Sequence, residues 1–282
     1  MVDEKIKLSP EKARDDSSGY PEQLGQARNM RQIKLQLNLV FLGAILVILV
    51  AVIFNIQQIL SDEERKNFQS SPADFSDDYL GDDYQRILIE VDVVGNQTPD
   101  LEALEHLKLI LERESEKEVE ISVDDQLNSS RTVFSLKQIN DLEGEHRDRY
   151  RGDGTAIIYI QYLNGSFDDS PEYRGVAYHG SSCALFMATV REDGVRDGKS
   201  LALEKRTLVH EAGHLLGLVE INYRSEHQHQ DPEHEYHCNH ENTTGASDCV
   251  MGLIKDSDSV DKDEIPLDFC EYCLADLEQQ RG

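Results

Sequence analysis

The longest apolar run of the chain, Leu39 to Phe54, contains only Leu, Val, Ile, Phe, Ala and Gly, and no charged residue lies between Leu35 and Ser61. A run of that length can cross the hydrocarbon core of a bilayer, so the pattern predicts one transmembrane helix over 35–61. Farther on, the pattern shortens and alternates. R-I-L-I-E-V-D-V-V (86–94) predicts a strand, and Leu101, Leu104, Leu107 and Leu111 recur at helical spacing, predicting a helix over 100–114. Short strands are expected at 119–123 and 132–136, a helix over 137–149, and the strongest strand of the chain at 154–163. Residues 175–187 suggest a strand or edge strand interrupted by Gly180-Ser181-Ser182, and 200–218 a long helix. Beyond it the periodicity fades into a stretch rich in His, Glu, Asp, Asn and Cys, with a short helical tail after Cys270.

These patterns divide the chain into a disordered tail (1–34), the apolar span (35–61), an acidic linker (62–84) and one folded domain (85–282). Arg28, Arg31 and Lys34 precede the span, whereas Asp62, Glu63 and Glu64 follow it with only Arg65 and Lys66 against them. The positive-inside rule then puts the N-terminus in the cytoplasm and the domain outside the membrane. A cleaved signal peptide fits less well, because the run starts some 35 residues in and no small-x-small site follows it.

Charge narrows the partners. Of 28 basic and 55 acidic residues, seven and six precede Asp62, leaving 21 and 49, a net −28 on the remainder. Nucleic acid is thereby disfavoured. The acidic side chains are spread along every element, as in a protein kept soluble at high salt or as in ordinary surface acidity.

The chemistry lies in the last long helix, at His210-Glu211-Ala212-Gly213-His214. Residues four apart share a helix face, so both imidazoles can reach one ion while Glu211 stands near a water bound there. Such a constellation suits hydrolysis: the metal acidifies water and polarises a carbonyl, and Glu211 takes and relays the proton. Two histidines a turn apart also occur on helices that bind nothing. Here, however, Thr207-Leu208-Val209 and Leu215, Leu216 and Leu218 give the motif a core setting, and Gly217 stands where the helix should break.

In metzincin peptidases the motif continues as H-E-x-x-H-x-x-G-x-x-H. This chain matches through Gly217 and then presents Glu220, a possible carboxylate ligand. Downstream, Y-H-C-N-H-E-N, D-C-V-M-G and F-C-E-Y-C resemble the archaemetzincin pattern of a third His followed at once by Cys, then Cys-x-Met, then a distant C-x-x-C. That resemblance covers roughly the last third of the chain. It implies His237 as the third zinc ligand, Met251 as the Met-turn residue, and Cys238, Cys249, Cys270 and Cys273 as a second, structural zinc site. It also implies an α/β (α+β) zincin-like domain: a mixed twisted sheet, an active-site helix and an irregular C-terminal subdomain.

The spacing departs from that family. About twenty residues separate Gly217 from His237 where the family has two, and ten separate Cys238 from Cys249 where it has four. The excess is a His- and acid-rich insertion, leaving Glu220 as the rival ligand and His227, His229, His234 and His240 as poorer ones, read as exposed loop histidines. For the cysteines, a location outside the membrane favours disulfides such as Cys238 to Cys249, whereas C-x-x-C favours metal. Cys183 reads as a small buried hydrophobe. The strand at 176–186 is placed to accept substrate backbone, and His179 on it reads as a core or surface residue. The expectation is a membrane-anchored zinc endopeptidase acting on peptides or proteins, with a membrane-anchored zinc-binding protein as the rival.

Overall fold

The computed structural model describes residues 36, 38–53, 62–197, 199–219, 229–232, 234, 237–239, 248–253 and 265–281. The chain divides into two units, Met1–Ile59 and Leu60–Gly282. In the first, residues 38–53 are helical and their large apolar side chains are exposed, Leu39 at 60% and Val40 at 73% among them. Among the described residues no helix is long and apolar enough to cross a membrane. Part of the span expected at 35–61, including 54–61, lies outside the described residues.

The second unit is a mixed α/β fold. Its elements are α1 (Ser76–Leu80), β1 (Arg86–Val94), α2 (Leu101–Ser115), β2 (Glu118–Leu127), β3 (Val133–Phe134), α3 (Leu136–His146) and β4 (Thr155–Leu163). They continue through β5 (Ser166–Phe167), β6 (Gly175–His179), β7 (Ser182–Phe186), α4 (Met187–Asp197), α5 (Ser200–Leu215) and α6 (Glu271–Arg281). Five strands form one sheet in the order β2-β1-β4-β7-β6, and β3 pairs with β5 apart from it. β1 runs parallel to β2 and β4, β4 parallel to β7, and only the edge strand β6 is antiparallel.

Inner parallel strands are covered on both faces, which is why β1 and β4 are nearly continuous in buried residues. Side chains alternate between the faces. Ile87, Ile89, Val91 and Val93 share a core with Leu104, Leu107 and Leu111 of α2 and with Leu208 and Ala212 of α5. The alternate positions of β1, Glu90 and Asp92, are buried with Tyr159 and Gln161 of β4. On that side Gln161 Nε2 donates to Ile139 O of α3 at 3.0 Å, so α3 covers the second face. The outer strand β2 carries Glu118, Glu120 and Asp124, charges that discourage a further strand from pairing there.

Three readings of the sequence shift. The interrupted strand at 175–187 is a hairpin of β6 and β7, its Gly180-Ser181 forming the reversal. Helix α4 was not signalled by the pattern. Residues 62–84, expected as a linker, contain helical turns at 62–68 and α1, and bury Asn67 and Tyr79. Tyr79 donates to Ile157 O at 3.0 Å and Asn67 Nδ2 to Glu143 Oε1 at 2.7 Å, which holds this segment against the domain.

Candidate active site

Helix α5 is buried from Leu203 to Leu215 except at Lys205, because it lies between the sheet and the C-terminal segments. It ends in a Schellman arrangement: Gly217 N–H donates to His214 O and Leu218 N–H to Gly213 O. The φ of +85° at Gly217 is what that turn requires of a residue without a Cβ. The chain leaves the helix sharply there, at the site.

His210 and His214, 9% and 8% exposed, bring their Nε2 atoms to 3.2 Å. Two nitrogens bound to one tetrahedral zinc at about 2.0–2.1 Å lie roughly 3.3–3.4 Å apart, so the pair fits a single ion. His210 Nδ1 is 2.9 Å from Val250 O. A carbonyl only accepts, so Nδ1 carries the hydrogen and Nε2 keeps its lone pair. The His237 ring lies 5.3 Å from that of His210, centroid to centroid. Glu220, His227 and His240 lie outside the described residues.

Burial, reinforced by the neighbouring His214, Arg206 and His237, drives the pKa of His210 well below the ordinary histidine value. Burial, followed by His237, lowers His214 to about 3. Both rings are therefore neutral donors. Burial raises the carboxyl of Glu211 to about 8, against the pull of a hydrogen bond from Ala177 N–H and of Arg206. Since Ala177 belongs to β6, that bond ties the motif to the antiparallel sheet edge.

Beneath the helix, a methyl group added at Gly213 would collide with Met251 Sδ and crowd Phe269. Glycine there is what allows Met251, fully buried, to press against the helix between the two histidines. Arg206, 6% exposed, donates to Gly252 O and fastens the same segment one turn earlier.

The four C-terminal cysteines converge. All their sulfurs lie within 4.8 Å of one another, Cys238 to Cys270 at 3.7 Å and Cys249 to Cys273 at 3.6 Å. All are buried and none forms a disulfide, the pairing of Cys238 with Cys249 included. Four thiolates at about 2.3 Å from one zinc stand about 3.8 Å apart, so this spacing suits a closed tetrahedral site and is far from the ~2.05 Å of a covalent S–S bond. The cluster reaches the histidines through the backbone: Cys238 follows His237, and Cys249 precedes the Val250 whose carbonyl orients His210.

Cys183 is buried, and burial pushes its thiol well above the ordinary value. His179 is 7% exposed, with Nδ1 3.3 Å from Ser70 O, a core position. His234 is exposed beside Asp231. His229, expected on the surface, is instead 2% exposed and lies between Cys238 and Asp276. Nothing local to His229 marks it, but Asp276 has a signal: in C-x-x-C-x-x-D the residues three apart lie on one helix face.

No protein-family model matches the chain, and no curated protein matches it. Among solved structures, archaemetzincin from Methanopyrus kandleri is 14% identical with a TM-score of 0.44, covering 70% of this chain and 96% of that one. Archaemetzincin from Archaeoglobus fulgidus, complexed with malonate, is 16% identical with a TM-score of 0.38, covering 67% and 99%. A zinc-dependent peptidase from Methanocorpusculum labreanum is 14% identical with a TM-score of 0.39, covering 67% and 99%. At these values the likeness establishes neither an activity nor a ligand set for this chain, and both rest on its own residues.

Proposed function

We propose that the chain is a zinc-dependent metalloendopeptidase of zincin-like architecture. The observation that carries this reading is the approach of His210 Nε2 and His214 Nε2 to 3.2 Å on a buried helix, with Glu211 between them in sequence and the His237 ring alongside. His210, His214 and His237 would hold the catalytic zinc, and Cys238, Cys249, Cys270 and Cys273 a structural one. A bound zinc supplies a Lewis acid for the scissile carbonyl and acidifies a water. The charge of a bound zinc would favour the ionised carboxylate of Glu211, which would then accept a proton from the attacking water and deliver it to the leaving amine. The outer side of β6, next to Glu211, is the natural edge for an extended peptide backbone.

The test compares wild type with Glu211→Gln for zinc content and for hydrolysis of an unstructured protein. The variant should keep its zinc and lose about 10²–10⁴-fold in turnover, the usual contribution of a general base. Zinc bound without turnover in either protein would replace the peptidase with a zinc-binding protein.

The exposed apolar side chains of 38–53 and the basic residues ahead of them support anchoring by one N-terminal helix, with the domain outside the membrane. Fractionation after alkaline washing tests the anchoring: recovery of the full chain in the soluble pool would sink it. Protease accessibility of the domain in intact cells tests the orientation.

A further inference from the structure

We propose that His229 and Asp276 form a positioning pair for the four-sulfur site, and that through them the stretch beginning at residue 229 is tied to that site. The proposal rests on the zinc reading of the four cysteines. His229 Nδ1 is 3.2 Å from Cys238 Sγ and His229 Nε2 is 2.5 Å from Asp276 Oδ2. Both side chains are almost completely buried, at 2% and 1% exposure. A metal-bound thiolate only accepts hydrogen bonds, so the hydrogen between His229 and Cys238 resides on Nδ1. Asp276 Oδ2 at Nε2 fixes the orientation of the ring that aims Nδ1 at the sulfur.

The backbone reinforces the clamp. Asn239 N–H donates to His229 O and Asp231 N–H to His237 O, both at 2.7 Å, while Cys238 N–H donates to Met251 O at 2.9 Å. Segment 237–239 is therefore held between the end of the insertion on one side and the Met251 segment on the other. Asp276 comes from α6, one turn after Cys273, so the helix that brings in that sulfur, with Cys270 just before its first residue, also brings in the carboxylate. The pair thus cross-links insertion, ligand segment and final helix at a single sulfur, and that sulfur adjoins His237.

An N–H directed at a metal-bound thiolate withdraws electron density from sulfur and fixes its orientation, and losing such a partner typically weakens metal binding 10–100-fold. The experiment loads the full chain with cobalt(II) and compares wild type, His229→Ala, His229→Gln and Asp276→Asn. Expected in His229→Ala are a thiolate-to-cobalt charge-transfer band moved to longer wavelength and a roughly 10–100-fold faster loss of that metal to a chelator. His229→Gln, whose amide can still donate, should recover part of both effects, and Asp276→Asn should show them at the lower end. Asp276→Asn also serves if His229→Ala does not fold. Wild-type band position and release rate in the variants would overturn the proposal alone. Absence of any thiolate charge-transfer band in the wild type would overturn the zinc reading of the cysteines together with it.

Discussion

The two faces of the sheet both bury polar groups, and they settle them in opposite ways. On the face covered by α3, protein answers protein: Glu143 Oε1 accepts from Asn67, Arg147 and Ser182, each at 2.7 Å. Asp92 accepts from Tyr159 at 2.6 Å, and Glu90 from the backbone N–H groups of Asp148 and Arg149 at 2.7 and 3.0 Å. On the face covered by α5, nitrogens and sulfurs converge on points, at spacings set by what one tetrahedral cation would hold. The first face meets most of its polar groups with its own donors, Glu143 Oε2 and Gln161 Oε1 being buried without a partner, and it is structural. The second has the spacing that a tetrahedral cation would require, and it is the face on which the proposed chemistry rests.

If that contrast is right, metal removal should injure one face and spare the other. The largest effect is expected from Cys273→Ser or from chelation. Three separate segments supply the four sulfurs, and the described residues of 229–253 belong to no helix or strand, so we expect the site to carry much of the folding free energy of that region. We expect the melting temperature to fall by roughly 10 °C or more, as several kcal/mol would produce in a domain of this size. Hydrogen exchange should rise across 229–281 and remain slow in β1 and β4. Equal loss of protection in β4 would erase the distinction between the faces.

The counterpart on the other face is Glu143→Ala. Arg147, whose side chain is 1% exposed, then keeps a buried guanidinium without its carboxylate. About 3–5 kcal/mol of stability should disappear by urea unfolding, while zinc content stays at the wild-type level. Replacing both partners, with Arg147→Met added, should recover most of the loss, since the desolvation penalty goes with the pair. Zinc lost from the single variant would mean that the two faces are coupled.

The sequence revealed the second face better than the first, for physical reasons. A strand such as R-I-L-I-E-V-D-V-V and the paired histidines of α5 are coded by short-range periodicity, and β1 occupies the residues that the pattern picks out. The four cysteines were legible as a set through the resemblance of the C-terminal motifs to the archaemetzincin pattern, C-x-x-C itself favouring metal over a disulfide. By contrast, α4 was hidden by its charged residues and Gly194, and the burial of Asn67 and Tyr79 in an acidic stretch depends on partners more than seventy residues away. His229 shows the limit most clearly: in H-Q-H-Q-D its neighbours suggest solvent, and only the return of α6 places Asp276 against it. Contacts made across sequence leave no periodic trace.

Glu90 gives the smallest and sharpest test of the closed face. Burial raises its carboxyl to about 7, with the Asp148 N–H and the guanidinium groups of Arg147 and Arg149 opposing that shift. In the unfolded chain the group titrates near its ordinary value of 4.5. Between these values the folded protein holds a proton that the unfolded chain has released, so folding is favoured at the acid end and loses stability as pH rises through the window. Above pH 7 the loss is complete, about 3 kcal/mol at most for this one group. Glu90→Gln, which cannot ionise, should flatten that part of the curve: urea midpoints at pH 4.5 and pH 8 should lie closer together than in the wild type. An unchanged separation would mean that the two backbone N–H groups hold Glu90 ionised in the fold throughout, and that the α3 face keeps a carboxylate where the sheet is driest.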